Sequence, residues 1–281
     1  VIHDNQSLCY EIIFFQKRIP LVATIHHPIS KDLKFQLKST KSLFLKLLMI
    51  RWHSFLKMQI QVAKKLKSVI VVSESSKEDI HNDFGLKKSV MNVILNGIDT
   101  EAYYPDETVQ KVPLRIVTTA SADVPLKGLD FLLKAFASVK DIHSNASLHI
   151  IGGSKKGGHT KRLIKKLGIE SDITFNKNLS FKEVRDLYCS ADIVVIPSLY
   201  EGFGFAVGEA MACKVPVITT SGGAIPEVIK DCGIIVEPGK SKELEKAILE
   251  LLPNEKLKNI LAENGFQRIR KDLQWSEVAL R

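Results

Sequence analysis

Short apolar runs alternate with longer amphipathic stretches along nearly the whole chain. The runs PLVATIHH (20–27), KSVIVVS (67–73), MNVILNG (91–97), LRIVTTA (114–120), SLHIIGG (147–153), DIVVIPS (192–198) and PVITT (216–220) are β-branched, apolar on both faces and bounded by Gly, Pro, Ser or Asn. They predict buried strands. Between most of them, GLDFLLKAFASVK (128–140), KRLIKKLG (161–168) and FKEVRDLYCSA (181–191) place apolar residues at helical spacing. Strands buried on both faces need helices on both faces, and parallel crossovers are right-handed. The pattern therefore predicts an α/β protein of doubly wound, Rossmann-like parallel sheets. One stretch breaks the rhythm: DTEAYYPDETVQKVP (99–113) is polar, holds two prolines and has no period, and the pattern restarts at Leu114. This predicts two domains, 1–108 and 109–281. No internal repeat or low-complexity tract is visible.

Composition adds little until charge is located. With 45% hydrophobic and 25% charged residues the chain reads as a soluble globular protein. No uncharged apolar run reaches the roughly 18 residues of a membrane span. Four cysteines, Cys9, Cys189, Cys213 and Cys232, show no C-x-x-C spacing, which argues against a zinc site or disulfide framework and fits a reducing, cytoplasmic setting. The net charge of +9 resides in one segment: residues 31–68 carry ten Lys and Arg against the single acid Asp32, and the remainder is balanced. Within it, LKFQLKSTKSLFLKLLMIRWHSFLKMQIQVAKKLK (33–67) interleaves basic residues with Leu, Phe and Trp at roughly helical spacing. Two readings stay open: a basic amphipathic helix in peripheral contact with an anionic membrane, or a solvated helix packed on its own sheet. No nucleic-acid-binding module accompanies the segment, so no nucleic-acid partner is expected.

The stretch PSLYEGFGFAVGEAMACKVPV (197–217) carries the clearest chemistry. An apolar strand runs into it, Gly202 and Gly204 permit a tight turn or close approach of a ligand, and a small-residue helix begins near Phe205. The N–H groups and positive dipole end of that helix suit a phosphate at the carboxyl edge of the sheet. Glu201 precedes the helix and Glu209 lies one turn inside it. Carboxylates accept hydrogen bonds, as sugar and ribose hydroxyls require. A phosphate flanked by two polyols describes a nucleotide sugar. Spacing alone is equally compatible with a strand–turn–helix bearing two surface glutamates.

The full string resembles the E-x7-E motif of the family-four retaining glycosyltransferases, and VATIHH, VSESSKEDI, ILNGIDTEAYYP, LKGLDFLLKAF, SGGAIPEVI and GIIVEPG follow the same family's order. The resemblance implies a GT-B fold, two Rossmann-like domains with the nucleotide sugar mainly on the C-terminal one and an unidentified acceptor on the other. It implies Glu209 on the ribose, Glu201 on the transferred sugar, and the backbone of Gly202, Phe203, Gly204 and Phe205 against sugar and diphosphate. Lys127 would neutralise the diphosphate. His26, with His27 as an adjacent rival, would lie near the sugar, and Asn178, Leu179 and Ser180 would face the base. It further implies retention of configuration, with the two glutamates binding rather than acting as a hydrolase's acid and base. No metal and no separate cofactor are expected.

Two departures from the family pattern stand out. The family places an Arg a few residues before KG; here TTASADVPLKG puts Ser121 there, and Lys155 or Lys156 is the substitute to consider. The chain also opens at Val1 without the family's first strand and Gly-rich loop, and the final helix reads as cut soon after WSEVALR, so a truncated N-terminal domain is expected. Both motivate an alternative, a catalytically weak or inactive nucleotide-sugar-binding protein. Other classes find no support: GGSKKGG (152–158) satisfies neither G-x-G-x-x-G nor the P-loop pattern, D-x-D and G-x-S-x-G are absent, and no residue cluster has metal-ligand spacing.

Overall fold

A computed structural model describes every residue except Ala122, Asp123 and Lys156 and the side chain of Ser39. Packing divides the chain into two units, Val1–Asn96 and Gly97–Arg281. In the first, β1 (Ile2–Asn5), β2 (Leu21–Ile25), β3 (Val69–Val71) and β4 (Met91–Val93) pair in parallel in the order β1-β2-β3-β4. The register sets Asp4 beside Ala23, Ala23 beside Val69 and Val69 beside Met91. Leu8, Ile25, Val71, Ile80 and Phe84 close the core over these strands.

The second unit holds six parallel strands: β5 (Arg115–Thr119), β6 (Ser147–Ile151), β7 (Ile173–Asn176), β8 (Ile193–Ile196), β9 (Val217–Thr220) and β10 (Ile234–Val236). Their order is β10-β9-β8-β5-β6-β7. Every residue of β8, IVVI, is buried, as a strand covered on both faces requires. Helix Leu129–Ile142 lays Leu132, Leu133, Phe136 and Val139 into this core and packs on helix Ser241–Leu251. The chain runs outward from β5 through β6 and β7, then crosses back to β8 and runs outward through β9 and β10. Strand order therefore reverses between β5 and β8. In an open α/β sheet the carboxyl ends of the strands at such a reversal are where a ligand is expected. Both units are thus parallel-sheet α/β layers as predicted; the second is doubly wound, whereas the described strands of the first run one way with no reversal, and β7 and β10 were not legible as strands. They form the two edges of this sheet and are short and only half-buried, four residues in β7 and three in β10.

Residues 97–108, expected with the first domain, pack within the second unit. The Ile98 amide donates to the Leu273 carbonyl at 2.6 Å, and Arg185 pairs with Asp106 at 3.0 Å. A Cβ on Gly97 would lie 2.4 Å from the Trp275 ring, so this contact requires glycine.

The basic segment forms three helices, Ile29–Ser39, Leu43–Trp52 and Leu56–Ala63, the last two joined by a 3-10 turn at His53–Phe55. The third buries Leu56, Gln59, Val62 and Ala63; the second buries nothing. Among the described residues no helix is long and apolar enough to cross a membrane.

Candidate functional site

The exit loops of β5 and β8 are fastened to each other. The Leu199 amide donates to the Leu126 carbonyl at 2.7 Å. Gly128 sits at φ 65°, and a Cβ there would lie 1.9 Å from the Pro197 carbonyl oxygen, so only glycine lets the loops approach this closely. Lys127 leaves the first loop and Glu201 the second. They meet at 2.8 Å, Nζ to Oε1. The fully buried Ser198 donates its hydroxyl to the same Oε1 at 2.7 Å, and its own carbonyl accepts from the Thr220 hydroxyl. Glu201 Oε2 has no partner among the described residues and is open to a ligand hydroxyl.

The loop after β9 holds Glu201 from behind. The Glu201 amide donates to the Gly222 carbonyl at 3.3 Å, and the Ala224 amide to the Glu201 carbonyl at 2.9 Å. Gly223, at φ 68°, leaves no room for a Cβ, which would stand 2.2 Å from the Glu201 oxygen. Three strand ends thus converge on one carboxylate.

Just beyond it, Gly204 at φ 103° caps helix Phe205–Ala212, and the Val207 and Gly208 amides both fold back to its carbonyl. The Phe205 and Ala206 N–H groups, at the start of the helix, lie ahead of these bonds and suit an anion. Phe203 is buried and meets the exposed Phe205 edge-to-face at 5.0 Å, which fixes the bend.

One turn into the helix, Glu209 has no cation beside it among the described residues. Its neighbours are phenols: the Tyr188 hydroxyl lies 3.5 Å from Oε2, and Tyr188, fully buried, shares a 2.6 Å hydrogen bond with Thr119. Burial pushes the Glu209 carboxyl up to about 7, against a smaller opposing pull from the Tyr188 hydrogen bond. The same negative charge, added to burial, raises the Tyr188 and Tyr103 phenols. A raised folded-state value means the proton favours the folded protein. That contribution is complete below pH 4.5, the ordinary value, and is lost as pH rises through 7. Glu209→Gln keeps the neutral form at every pH. Its stability relative to wild type is expected to improve by about 2 kcal/mol between pH 4.5 and 8, the raw shift being trimmed for partial exposure. Urea melts at the two pH values check this; a difference that does not change with pH contradicts it.

The remaining expected residues lie as follows. Asn178, exposed and at φ 54°, and Leu179 follow β7. They lead into helix Phe181–Cys189, which Ser180 and Glu183 close with a reciprocal capping box. Ser121 is exposed at the end of β5. Lys155 is exposed and engaged in an interaction of its own, and Lys156 lies outside the described residues. His26 belongs to the first unit, where its Nε2 donates to Asn5 Oδ1 at 2.7 Å and its amide to Gln6 Oε1 at 2.7 Å. Burial, then His27 and His3, hold its pKa below the ordinary value, so its ring is neutral at neutral pH. His27 pairs with Asp32 at 2.9 Å instead. Sequence reasoning gave no part to Ser198, Tyr188, Thr119 or Gly128. Only Gly128 left a trace, in the LKG string; the others are polar residues in apolar surroundings, whose partners come from distant strands. Among the described residues no group of three or more His, Cys, Asp and Glu could hold a metal ion, and all four cysteines are free thiols.

Comparison with known proteins extends this picture. The family model described as "Glycosyl transferases group 1" matches residues 105–268, and that described as "Glycosyltransferase Family 4" matches residues 1–102. The MMP alpha-(1->4)-mannosyltransferase of Mycolicibacterium hassiacum is 36% identical over 99% of this chain, which spans 68% of that relative. Among solved structures, the sucrose-phosphate synthase of Thermosynechococcus elongatus superposes with a TM-score of 0.79 at 22% identity, covering 99% of this chain and 71% of its own. Anabaena HepE, solved with UDP-glucose, gives 0.77 at 20% identity, covering 95% and 71%. At such identities the likeness to the solved structures is one of fold, GT-B in both.

Proposed function

The chain belongs to the group 1 glycosyl transferases, and on that premise we propose that it transfers a hexosyl group from a nucleoside-diphosphate sugar to an acceptor with retention of configuration. The observation that carries this is the meeting of Lys127, Glu201 and the mouth of helix Phe205–Ala212 at the β5/β8 switch point. The diphosphate sits on the first-turn amides with Lys127 beside it. Glu201 Oε2 takes a hydroxyl of the sugar, and Glu209 takes the ribose. Asn178 and Leu179 flank the base, and Gly202 to Phe205 bring backbone rather than side chains against the donor.

In the transfer, the bond from C1 to the phosphate oxygen breaks and a bond from C1 to the acceptor oxygen forms on the same face. The acceptor proton passes to the departing phosphate. Negative charge builds on that phosphate as the bond opens, and fixed N–H dipoles and a cation placed in advance stabilise it without reorganising. No step needs a metal ion. On the acceptor side we place His26, whose neutral ring is suited to hydrogen bonding rather than charge. Peripheral contact of residues 31–68 with an anionic membrane belongs to the same proposal, as does a cytoplasmic setting.

A melting-point screen against UDP- and GDP-sugars tests the donor site, because a ligand bound only by the folded state raises the melting temperature. At least one donor is expected to do so. Glu209→Ala should weaken its binding by roughly tenfold, the worth of one or two hydrogen bonds from ribose hydroxyls. Unchanged affinity would take Glu209 off the ribose.

A further inference from the structure

Helix Leu43–Trp52, LFLKLLMIRW, has no buried residue. Leu43, Phe44, Leu47, Ile50 and Trp52 are each more than half exposed, Trp52 at 78%. Soluble surfaces rarely keep so many large apolar side chains together in water, and such a patch marks a contact. Beside the helix, against helix Ile29–Ser39, lies a cavity of about 520 Å³. Leu45, Leu48, Met49 and Trp52 give it an apolar wall, and Arg51 and His53 stand at its edge.

Along the sequence the charge on either side of this helix is of one sign. No acidic residue occurs between Asp32 and Glu74. Lys31 and Lys34 are answered by Asp79 and Asp83 at 2.6 Å each. By contrast Lys38, Lys41, Lys46, Arg51 and Lys57, which surround the helix in sequence, have no acidic partner among the described residues. The occupant of this face must therefore be apolar where the helix is apolar and anionic along its margin. A second copy docked through this same face fails that test, since it would bring five more cations against these five. An anionic bilayer meets it, offering acyl chains to Phe44, Leu47 and Trp52 and headgroup phosphates to the lysines. Ten residues of helix reach only about 15 Å, half of a hydrocarbon core, so the helix lies along the surface. A terminal Trp suits the headgroup level.

We propose that helix Leu43–Trp52 docks this protein on an anionic lipid bilayer, lying in the interfacial plane, with the adjoining cavity receiving the end of an acyl chain. The inference rests on the peripheral contact proposed for residues 31–68 and names the element that makes it; it is independent of sugar transfer.

The test is co-sedimentation with phosphatidylcholine vesicles with and without phosphatidylglycerol, at low and high salt. The protein is expected to bind only the phosphatidylglycerol vesicles and to be released by salt. The chain has two tryptophans, so Trp275→Phe isolates Trp52, whose emission should shift to the blue on binding. Leu47→Glu with Trp52→Glu changes only exposed side chains. It should lower partitioning by ~100-fold, from the loss of two apolar anchors and the gain of two like charges facing the lipid. An unchanged melting temperature without any ligand should show that the protein remains folded. Three results would each overturn the proposal: no binding to phosphatidylglycerol vesicles at low salt, binding that survives the double substitution, or a wild-type dimer that the double substitution converts to a monomer.

Discussion

Lys127→Ala is expected to lower kcat for sugar transfer by about 10³-fold while leaving the melting temperature within a degree or two of wild type. The two halves of this expectation have separate causes. The ion pair with Glu201 is 2.8 Å long, but the lysine side chain is 36% exposed. Pairs so open to water contribute little to stability. Removing Lys127 also leaves Glu201 its hydrogen bond from Ser198 and its backbone ties to Gly222 and Ala224, so the carboxylate is not stranded. The rate is another matter. Taking away one preorganised group that meets developing charge costs ~10²–10³-fold. The upper end is expected if, as the motif comparison suggests, Ser121 takes the place of a second cation. Donor affinity should fall less than the rate, since in the proposed complex the helix mouth still holds the ground-state diphosphate. Steady-state release of nucleoside diphosphate checks this. A loss below tenfold would mean the leaving-group charge is met by some other side chain.

Gly128→Ala is expected to do more damage to the fold than any other single methyl in the site. The new Cβ would meet the Pro197 carbonyl oxygen at 1.9 Å and would also sit at φ 65°. Something must shift, and the neighbour is backbone on the exit loop of β8. The hydrogen bond from Leu199 to Leu126 holds that loop in place, so relief of the clash must part the two loops that bring Lys127 to Glu201. Destabilisation on the order of 3 kcal/mol is expected, combining left-handed strain with the clash, together with loss of donor binding. Gly168→Ala separates the two causes. Gly168 has φ 68°, but nothing lies within 4 Å of its added Cβ. That substitution should cost only about 1 kcal/mol, the strain alone, and leave donor binding intact. Equal costs at the two positions would show that the loop contact carries no weight.

Much of the architecture was legible because its physics is local. Apolar runs such as DIVVIPS could be buried only between helical layers, and the turn around Gly202 and Gly204 announced itself where the strand pattern gave way to a helix. The position of the crevice was legible only as far as the order of elements. That Lys127 and Glu201, 74 positions apart, face each other follows from the reversal between β5 and β8, which pairing decides. Glu209 shows the limit most clearly. The motif raised the expectation that it binds a hydroxyl, but its proton affinity is set by burial and by the Tyr188 hydrogen bond, which a different helix delivers. The basic segment read as one amphipathic stretch; the structure breaks it into three helices and leaves the middle one bare. Nothing in helical spacing alone distinguishes an apolar helix that finds a core from one that does not.

The central claim is that the crevice at the β5/β8 switch point binds a nucleotide sugar and cleaves it for transfer. Incubating the protein with each donor that raises its melting temperature, alone and with a panel of sugar, sugar-phosphate and lipid-linked acceptors, and measuring free nucleoside diphosphate by chromatography tests it most directly. The account predicts release that depends on an acceptor, yields a product of retained anomeric configuration, and nearly vanishes in Lys127→Ala. A donor that binds the wild-type protein tightly but is never cleaved with any acceptor would contradict it and leave a binding protein in its place.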